Sequence, residues 1–291
     1  MSAAGTASPP PEAMRRGVSR GVFVATVVIV AVIALIGGMY VGKAVLGSSS
    51  SSSSSYLVVG TNIPFPPFED YNYSSGAYFG FDINFSMLIA NALHRTLVID
   101  NYADFSVLLA DVGAGVVDMA ASSITESGAV GAARNASMSF SIPYYDANQA
   151  IVVQSSSSLS CVATGCTVAQ LASLKIGVQT GTSSQSWLTQ YLIPNETKSG
   201  KVTGYTTVDT EILALSAGAL DCIMIDLGPG NSIVASSGGT LKLAGDIFTN
   251  ELYGFAVAHG DPEHILPSIN NVITTAEQNG TYAKLIKEWF G

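Results

Sequence analysis

The spacing of apolar and polar positions changes character twice along the chain. Residues 21–42, "GVFVATVVIVAVIALIGGMYVG", carry no charge over 22 positions. As a helix they would span about 33 Å, close to the roughly 30 Å hydrocarbon core of a bilayer. The next stretch, residues 43–55, is dominated by serine, too polar to pack, and reads as a flexible linker. From Tyr56 onward short apolar runs alternate with segments of helical period. "YLVVGT" is a strand followed by a loop rich in Pro and Phe. "FDINFSMLIANALHR" is a helix, with Asp82 as its N-cap and Ile83, Met87, Ala90, Ala92 and Leu93 on its apolar side. "TLVID", "DFSVLLADVGAG" and "VVDMAAS" continue as strand, helix and strand. The second half repeats the rhythm with "LKIGVQ", "SSQSWLTQYL", "KVTGYT", "DTEILALSAGA" and "LDCIMID". Such alternation predicts α/β architecture with parallel sheets and a ligand site at the carboxyl ends of the strands. Two such units imply two lobes and a cleft.

Charge changes the picture at the N-terminus. Arg15, Arg16 and Arg20 precede the apolar run and only Lys43 follows it closely. The positive-inside rule therefore predicts residues 1–20 in the cytoplasm, a transmembrane anchor over 21–42 and the rest of the chain outside the cell. The alternative is a cleaved signal peptide, whose apolar region usually runs about 7–15 residues to a small-x-small site. This run is longer and lacks a clear Ala-x-Ala. "RRGVS" also resembles the class III, prepilin-type signal of archaeal surface proteins, which would leave the helix attached.

Charged residues make up only 11% of the chain. Four of the 12 basic residues and one of the 21 acidic residues precede Tyr56, leaving 8 against 20 in the remainder. Nucleic acid is thereby excluded as a partner, because phosphate binding needs clustered Lys and Arg. Five Asn-x-Ser/Thr sequons, at Asn72, Asn84, Asn135, Asn195 and Asn279, fit an extracellular glycoprotein surface. Cys161 and Cys166 in "SCVATGCT" can close a small disulfide loop in that compartment, while Cys222 in "LDCIMI" reads as a buried small side chain. Three cysteines and three scattered histidines show no metal-ligand spacing, and nothing in the pattern calls for a cofactor.

Five stretches carry a family likeness: "LVVGTNIPFPPFED…YFGFDINFSMLIANAL", "VVDMAASSIT", "RNASMSFSIPYYDANQAIVV", "LKIGVQTGTSS" and "LDCIMIDLGPG". In order and spacing they resemble the extracytoplasmic solute-binding proteins of family 3, which serve polar amino acid ABC transporters. The resemblance covers residues 56–291. It implies a two-lobed, type II periplasmic-binding-protein-like fold: lobe 1 from residues 56–149 and 251–291, lobe 2 from 150–250, with two hinge crossings near "DANQAIVVQ" and "NELYGFAVA". It also implies an extracellular protein that captures a free amino acid by hinge closure and hands it to a membrane permease.

The resemblance assigns roles residue by residue. Arg134, six residues before Phe140, stands where the family receives the ligand α-carboxylate. A planar guanidinium suits that task because it offers two parallel hydrogen bonds, which lysine cannot. "TESGAVGAAR" puts about four more residues between Thr125 and the arginine than the family pattern has, and an outward loop would leave Arg134 in place. Asp226 matches the carboxylate that pairs with the α-ammonium. Ser123 and Thr125 are expected to add backbone and hydroxyl contacts. Thr182 and Ser183 open a helix whose free amide groups favour a carboxylate. Phe65 and Phe81 match the aromatic pair that sandwiches the ligand side chain. Asn62 stands where binders of basic amino acids carry aspartate, which favours an uncharged polar or modestly apolar ligand, although Glu69 could supply negative charge. Two rival functions share this scaffold: an amino acid sensing ectodomain, and an enzyme resembling the cyclohexadienyl dehydratases, for which Glu126 is the one unassigned carboxylate beside the motifs. No catalytic residue is otherwise expected.

Overall fold

The computed structural model describes residues 54–161, 165–196 and 200–291. Among them no helix is long and apolar enough to cross a membrane. The expected anchor over 21–42 and most of the linker lie outside the described residues.

Two five-stranded sheets organise these residues. In the first, β1 (Tyr56–Thr61) is followed by a hairpin of β2 (Asp70–Asn72) and β3 (Ala77–Phe79), then helix α1 (Phe81–Ala92) and β4 (Thr96–Asn101). Helix α2 (Phe105–Gly113), β5 (Met119–Ala120), helix α3 (Gly128–Arg134) and β6 (Met138–Phe140) complete the first pass. The chain crosses on β7 (Tyr145–Gln154) into the second sheet, built with β8 (Lys175–Gln179), β9 (Lys201–Tyr205) and β10 (Cys222–Asp226). It returns on β11 (Leu241–Tyr253) to place β12 (Ala256–Ala258) back in the first sheet, and two C-terminal helices, Leu266–Gln278 and Thr281–Phe290, cover it. The strand orders are β4-β1-β5-β12-β6 and β11-β7-β10-β8-β9.

The expectation of parallel sheets needs correction. β1, β4 and β5 run parallel, as do β8, β9 and β10, but β7 and β11 are antiparallel to their neighbours in the second sheet, and β12 is antiparallel to both its neighbours in the first. The cause is the double crossing: a chain that leaves a lobe and comes back must reverse direction, and its crossing strands pair with each other over Tyr145–Gln154 and Leu241–Tyr253. The expected crossings at 146–154 and 250–258 fall on this pair and on its continuation into β12.

Two local expectations also differ. Asp82 is not the N-cap of α1; Gly80 is, at φ 129°, where a Cβ would lie 2.2 Å from the Phe68 carbonyl oxygen. Asp82, two residues further on in the first turn, is fully buried and accepts hydrogen bonds from the Ser123 amide at 2.9 Å and the Tyr144 hydroxyl at 2.7 Å. The insertion before Arg134 is not an open loop but helix α3. It packs closely enough that a Cβ on Gly131 would lie 1.8 Å from the Glu126 carbonyl oxygen.

Cys161 and Cys166 are disulfide-bonded, and Cys222 is buried and unpaired. The amides of both bonded cysteines donate to β11, to Ala244 O at 2.7 Å and Asp246 O at 2.8 Å. The loop therefore covers the free side of an edge strand, which would otherwise offer unpaired backbone groups.

Candidate ligand-binding cleft

The cleft lies where the strands end. Asn62 follows β1, Ser122, Ser123 and Thr125 follow β5, Gln179 closes β8 and Asp226 closes β10. With Phe65, Glu69, Phe105, Arg134, Thr182 and Ser183 they line one small cavity, of about 20 Å³. Parallel strands point their carboxyl ends the same way, so side chains just past those ends converge.

Arg134 is the last residue of α3 and is buried to 8% exposure. Its Nη1 donates to Thr125 O at 2.8 Å and its Nη2 to Gly181 O at 3.0 Å, so the guanidinium joins the two lobes. The Phe105 ring lies 5.7 Å beneath it. Burial lowers its pKa to about 10, which still leaves it charged at neutral pH. Among the described residues the one ion pair is Arg95 with Glu263, at 3.6 Å. Arg134 therefore brings a positive charge into the cleft with no carboxylate in salt-bridge contact.

The carboxyl groups outnumber it. Asp226 is 7% exposed, and burial, with the charge of Glu251 next, pushes its pKa up to about 8. Glu69 is fully buried, and desolvation followed by repulsion from Asp82 holds it well above the usual carboxylate range. It accepts hydrogen bonds from Ser122 Oγ at 3.0 Å and Ser123 Oγ at 3.4 Å. Asp82, raised mainly by burial, lies behind it. On the crossing strands, Gln149 and Glu251 extend this polar cluster without lining the cavity.

Of the residues singled out in the sequence, Arg134, Asp226, Ser123, Thr125, Thr182, Ser183, Asn62 and Phe65 line one cavity. Phe81 does not: it has 0% exposure and packs on Phe68, Phe85, Tyr144 and Phe290 in the aromatic core. It opens α1 with its ring in the core of the lobe, and the second ring that lines the cavity with Phe65 is Phe105 from α2. Some expected contacts are also spoken for internally. The Ser123 amide, at φ 51°, is held by Asp82, and the Thr125 hydroxyl donates to Glu251 at 2.7 Å. Thr182 caps the helix Ser183–Trp187 by accepting from the Gln185 amide at 3.2 Å. Asn62 donates from Nδ2 to Tyr102 O at 2.7 Å and accepts from Gln179 Nε2 at 2.8 Å, a second link between the lobes. Glu126 lies beside Gly254 and Phe140, outside the cavity lining.

Sequence reasoning missed Phe105, Ser122, Gln179, Gln149 and Glu251. Gln149 and Glu251 lay inside the expected crossings, and that position was their one available signal; nothing in the pattern distinguished the others.

The fold and cleft define a two-lobed solute-binding protein. Residues 57–291 match the bacterial extracellular solute-binding proteins, family 3, and the chain belongs to that family. It is 26% identical over 236 residues to the L-cystine-binding protein of Escherichia coli, covering 81% of this chain and 82% of that one. Among solved structures it is similar to an ancestral arginine-binding protein bound to arginine, with TM-score 0.72 and 27% identity, covering 81% of this chain and 99% of that one. The structure of an ancestral arginine-binding protein bound to glutamine gives TM-score 0.71, again at 27% identity, covering 81% of this chain and 98% of the other.

Proposed function

We propose that this protein captures a free L-α-amino acid outside the cell, as a zwitterion, and delivers it to an ABC transporter permease. One observation carries the reading: Arg134 from the first lobe and Asp226 from the second face one cavity, both almost wholly withdrawn from solvent. The guanidinium would take the α-carboxylate and Asp226 the α-ammonium, while Thr182 and Ser183 add polar contacts at the carboxylate end. Buried opposite charges exclude sugars and simple carboxylic acids as best ligands, since each would leave one charge unpaired. The N-terminal segment 21–42 would hold the domain at the membrane. Cell fractionation with alkaline carbonate washing tests that part, and release of an ectodomain beginning at or after Ser48 would refute it.

Glu69 extends the sequence-based expectation of a neutral ligand. A carboxyl group fully buried on the cavity wall favours a ligand side chain that ends in hydrogen-bond donors. Protonated, Glu69 suits an amide; ionised, it suits a guanidinium or ammonium. The relatives solved with arginine and with glutamine support either form. Calorimetric titration with the twenty amino acids, and with decarboxylated and deaminated analogues of the best binder, tests the whole reading. An analogue that lacks the carboxylate or the amine yet binds like its parent would remove Arg134 or Asp226 from its role. Glu69→Gln should weaken a cationic ligand far more than an amide.

A further inference from the structure

The crossing strands hold a polar cluster that hinge bending alone does not require. Gln149 on β7 has 0% exposure. Its Oε1 accepts from the Ser184 hydroxyl, which fixes the amide so that Nε2 must face the other way. There it meets Asp226 Oδ1 in a very short contact, Glu251 Oε1 at 3.0 Å and Ser183 Oγ at 3.3 Å. The other Glu251 oxygen accepts from Thr125 Oγ1 at 2.7 Å. One neutral amide thus bridges two buried carboxyl groups, from β10 and β11.

The charges facing this pair can be counted. Among the described residues Arg134 at the end of α3 is the cation that acts on Asp226, and its two terminal nitrogens are bonded to backbone carbonyls. From the first lobe Glu69 adds a carboxyl that repels Asp226, with Asp82 and the Tyr144 hydroxyl behind it. The Tyr253 phenol stands beside both members of the pair. If Asp226 and Glu251 were both ionised, two negative charges withdrawn from water would face one guanidinium, with only neutral donors from Gln149 and Thr125 beside them.

We propose that Asp226, with Glu251 on the other side of the Gln149 amide, holds a proton before ligand binds, and that the ligand's α-ammonium replaces that proton, which leaves to solvent. Glu251 is then a second member of the ammonium pocket, acting through Gln149 and Asp226. No bond is made or broken beyond the O–H of the carboxyl; the ammonium keeps its three protons and supplies the positive charge that the departing proton had supplied. The high pKa of Asp226, caused first by burial and then by Glu251, agrees with this arrangement. The inference rests on the zwitterion reading above. Its consequence is that capture tightens as pH rises: with one proton released per ligand, Kd falls by up to about tenfold per pH unit below the pKa of Asp226 and levels off above it.

The test is calorimetry on the full chain with neutral amino acids, L-glutamine first and L-asparagine second, as probes at pH 6.5, in phosphate and in imidazole, whose heats of ionisation differ. Observed heats should differ between the buffers in proportion to about one proton released per ligand, and Kd should tighten between pH 6 and 7 and flatten above 8. Glu251→Gln should reduce the buffer dependence, whereas Arg95→Ala, away from the cavity, should keep it. Equal heats in the two buffers, with measurable binding, would overturn the inference and leave the zwitterion reading standing. Release undiminished in Glu251→Gln would take Glu251 out of the arrangement and overturn it as well. If neither amino acid binds, the zwitterion reading falls and the inference with it. The unmodified chain's buffer dependence decides even if a variant does not fold.

Discussion

Glu211 should be a liability that can be removed. It lies on the helix Val208–Ser216 of the second lobe, has 0% exposure, and neither side-chain oxygen has a hydrogen-bond partner. Its Cγ lies 3.1 Å from where a Cβ on Gly177 would stand, so the side chain packs directly on β8. Burial holds its carboxyl well above the usual range. An unpartnered buried polar group costs about 1–3 kcal/mol. Glu211→Met keeps the length and removes both oxygens, so the variant should gain about that much. With roughly 2–4 °C per kcal/mol for a domain of this size, Tm should rise by about 2–12 °C. The pH dependence has a definite sign. Because the folded pKa is raised, the unfolded chain gives up its proton first, near pH 4.5, while the folded protein retains it; the wild type therefore loses stability as pH rises from there to the raised folded value. The variant does not, so its advantage should widen by up to about 1.4 kcal/mol per pH unit. Urea unfolding of both proteins from pH 4.5 to 7.5, followed by circular dichroism, measures this. A variant no more stable than wild type, or an advantage that does not change with pH, would show that Glu211 has partners in solution.

Three further outcomes are expected. Arg134→Ala should weaken amino acid binding by roughly 30-fold to several thousandfold, from the about 2–5 kcal/mol lost when one partner of a desolvated charge pair is removed; Arg95→Ala, whose Glu263 partner lies away from the cavity, should change Kd less than about twofold in the same titration while lowering Tm. Gly181→Ala should also weaken binding, because φ +80° disfavours a side chain and its Cβ would lie 2.5 Å from Ser106 Oγ of the other lobe; small-angle scattering should then show a radius that ligand no longer reduces, and normal contraction would refute the steric argument. Mass spectrometry of a non-reduced digest should recover Cys161 joined to Cys166, with Cys222 alkylated only after unfolding.

The parts of this architecture legible in the sequence were those with a local cause. Apolar runs such as "KIGVQ" and "CIMID" are wholly or largely buried strands. Arg134 and Asp226 were legible through family spacing. What was not legible depends on distant segments meeting. Phe65 and Phe81 are equivalent by residue type, yet one faces the cavity and the other the core, because the turn of α1 and not its composition sets the direction. Glu69 could be noted but not weighed until Ser122, Ser123 and Asp82 were seen around it. Gln149 and Glu251 are more than a hundred positions apart and acquire meaning only through the pairing of β7 with β11.

The return of the chain through β11 has a consequence for biosynthesis. The second lobe is one unbroken stretch between the crossings, so all its strands except β11 are available once β10 has been made. The first lobe is interrupted: β12 lies between β5 and β6 in the sheet but follows both by more than a hundred residues. Until that strand arrives, β6 has no neighbour and the middle of the first sheet stays open, since the pairings that close it join residues 116 to 136 positions apart, as in Ala256 with Phe140 and with Ala120. Contacts of such separation form late, because loop closure must precede them. During vectorial synthesis the lobe begun first is thus expected to be finished last, leaving the apolar flank around Ala120 and Phe140 uncovered in the nascent polypeptide. That interval is when chaperone recognition or misassembly would be decided.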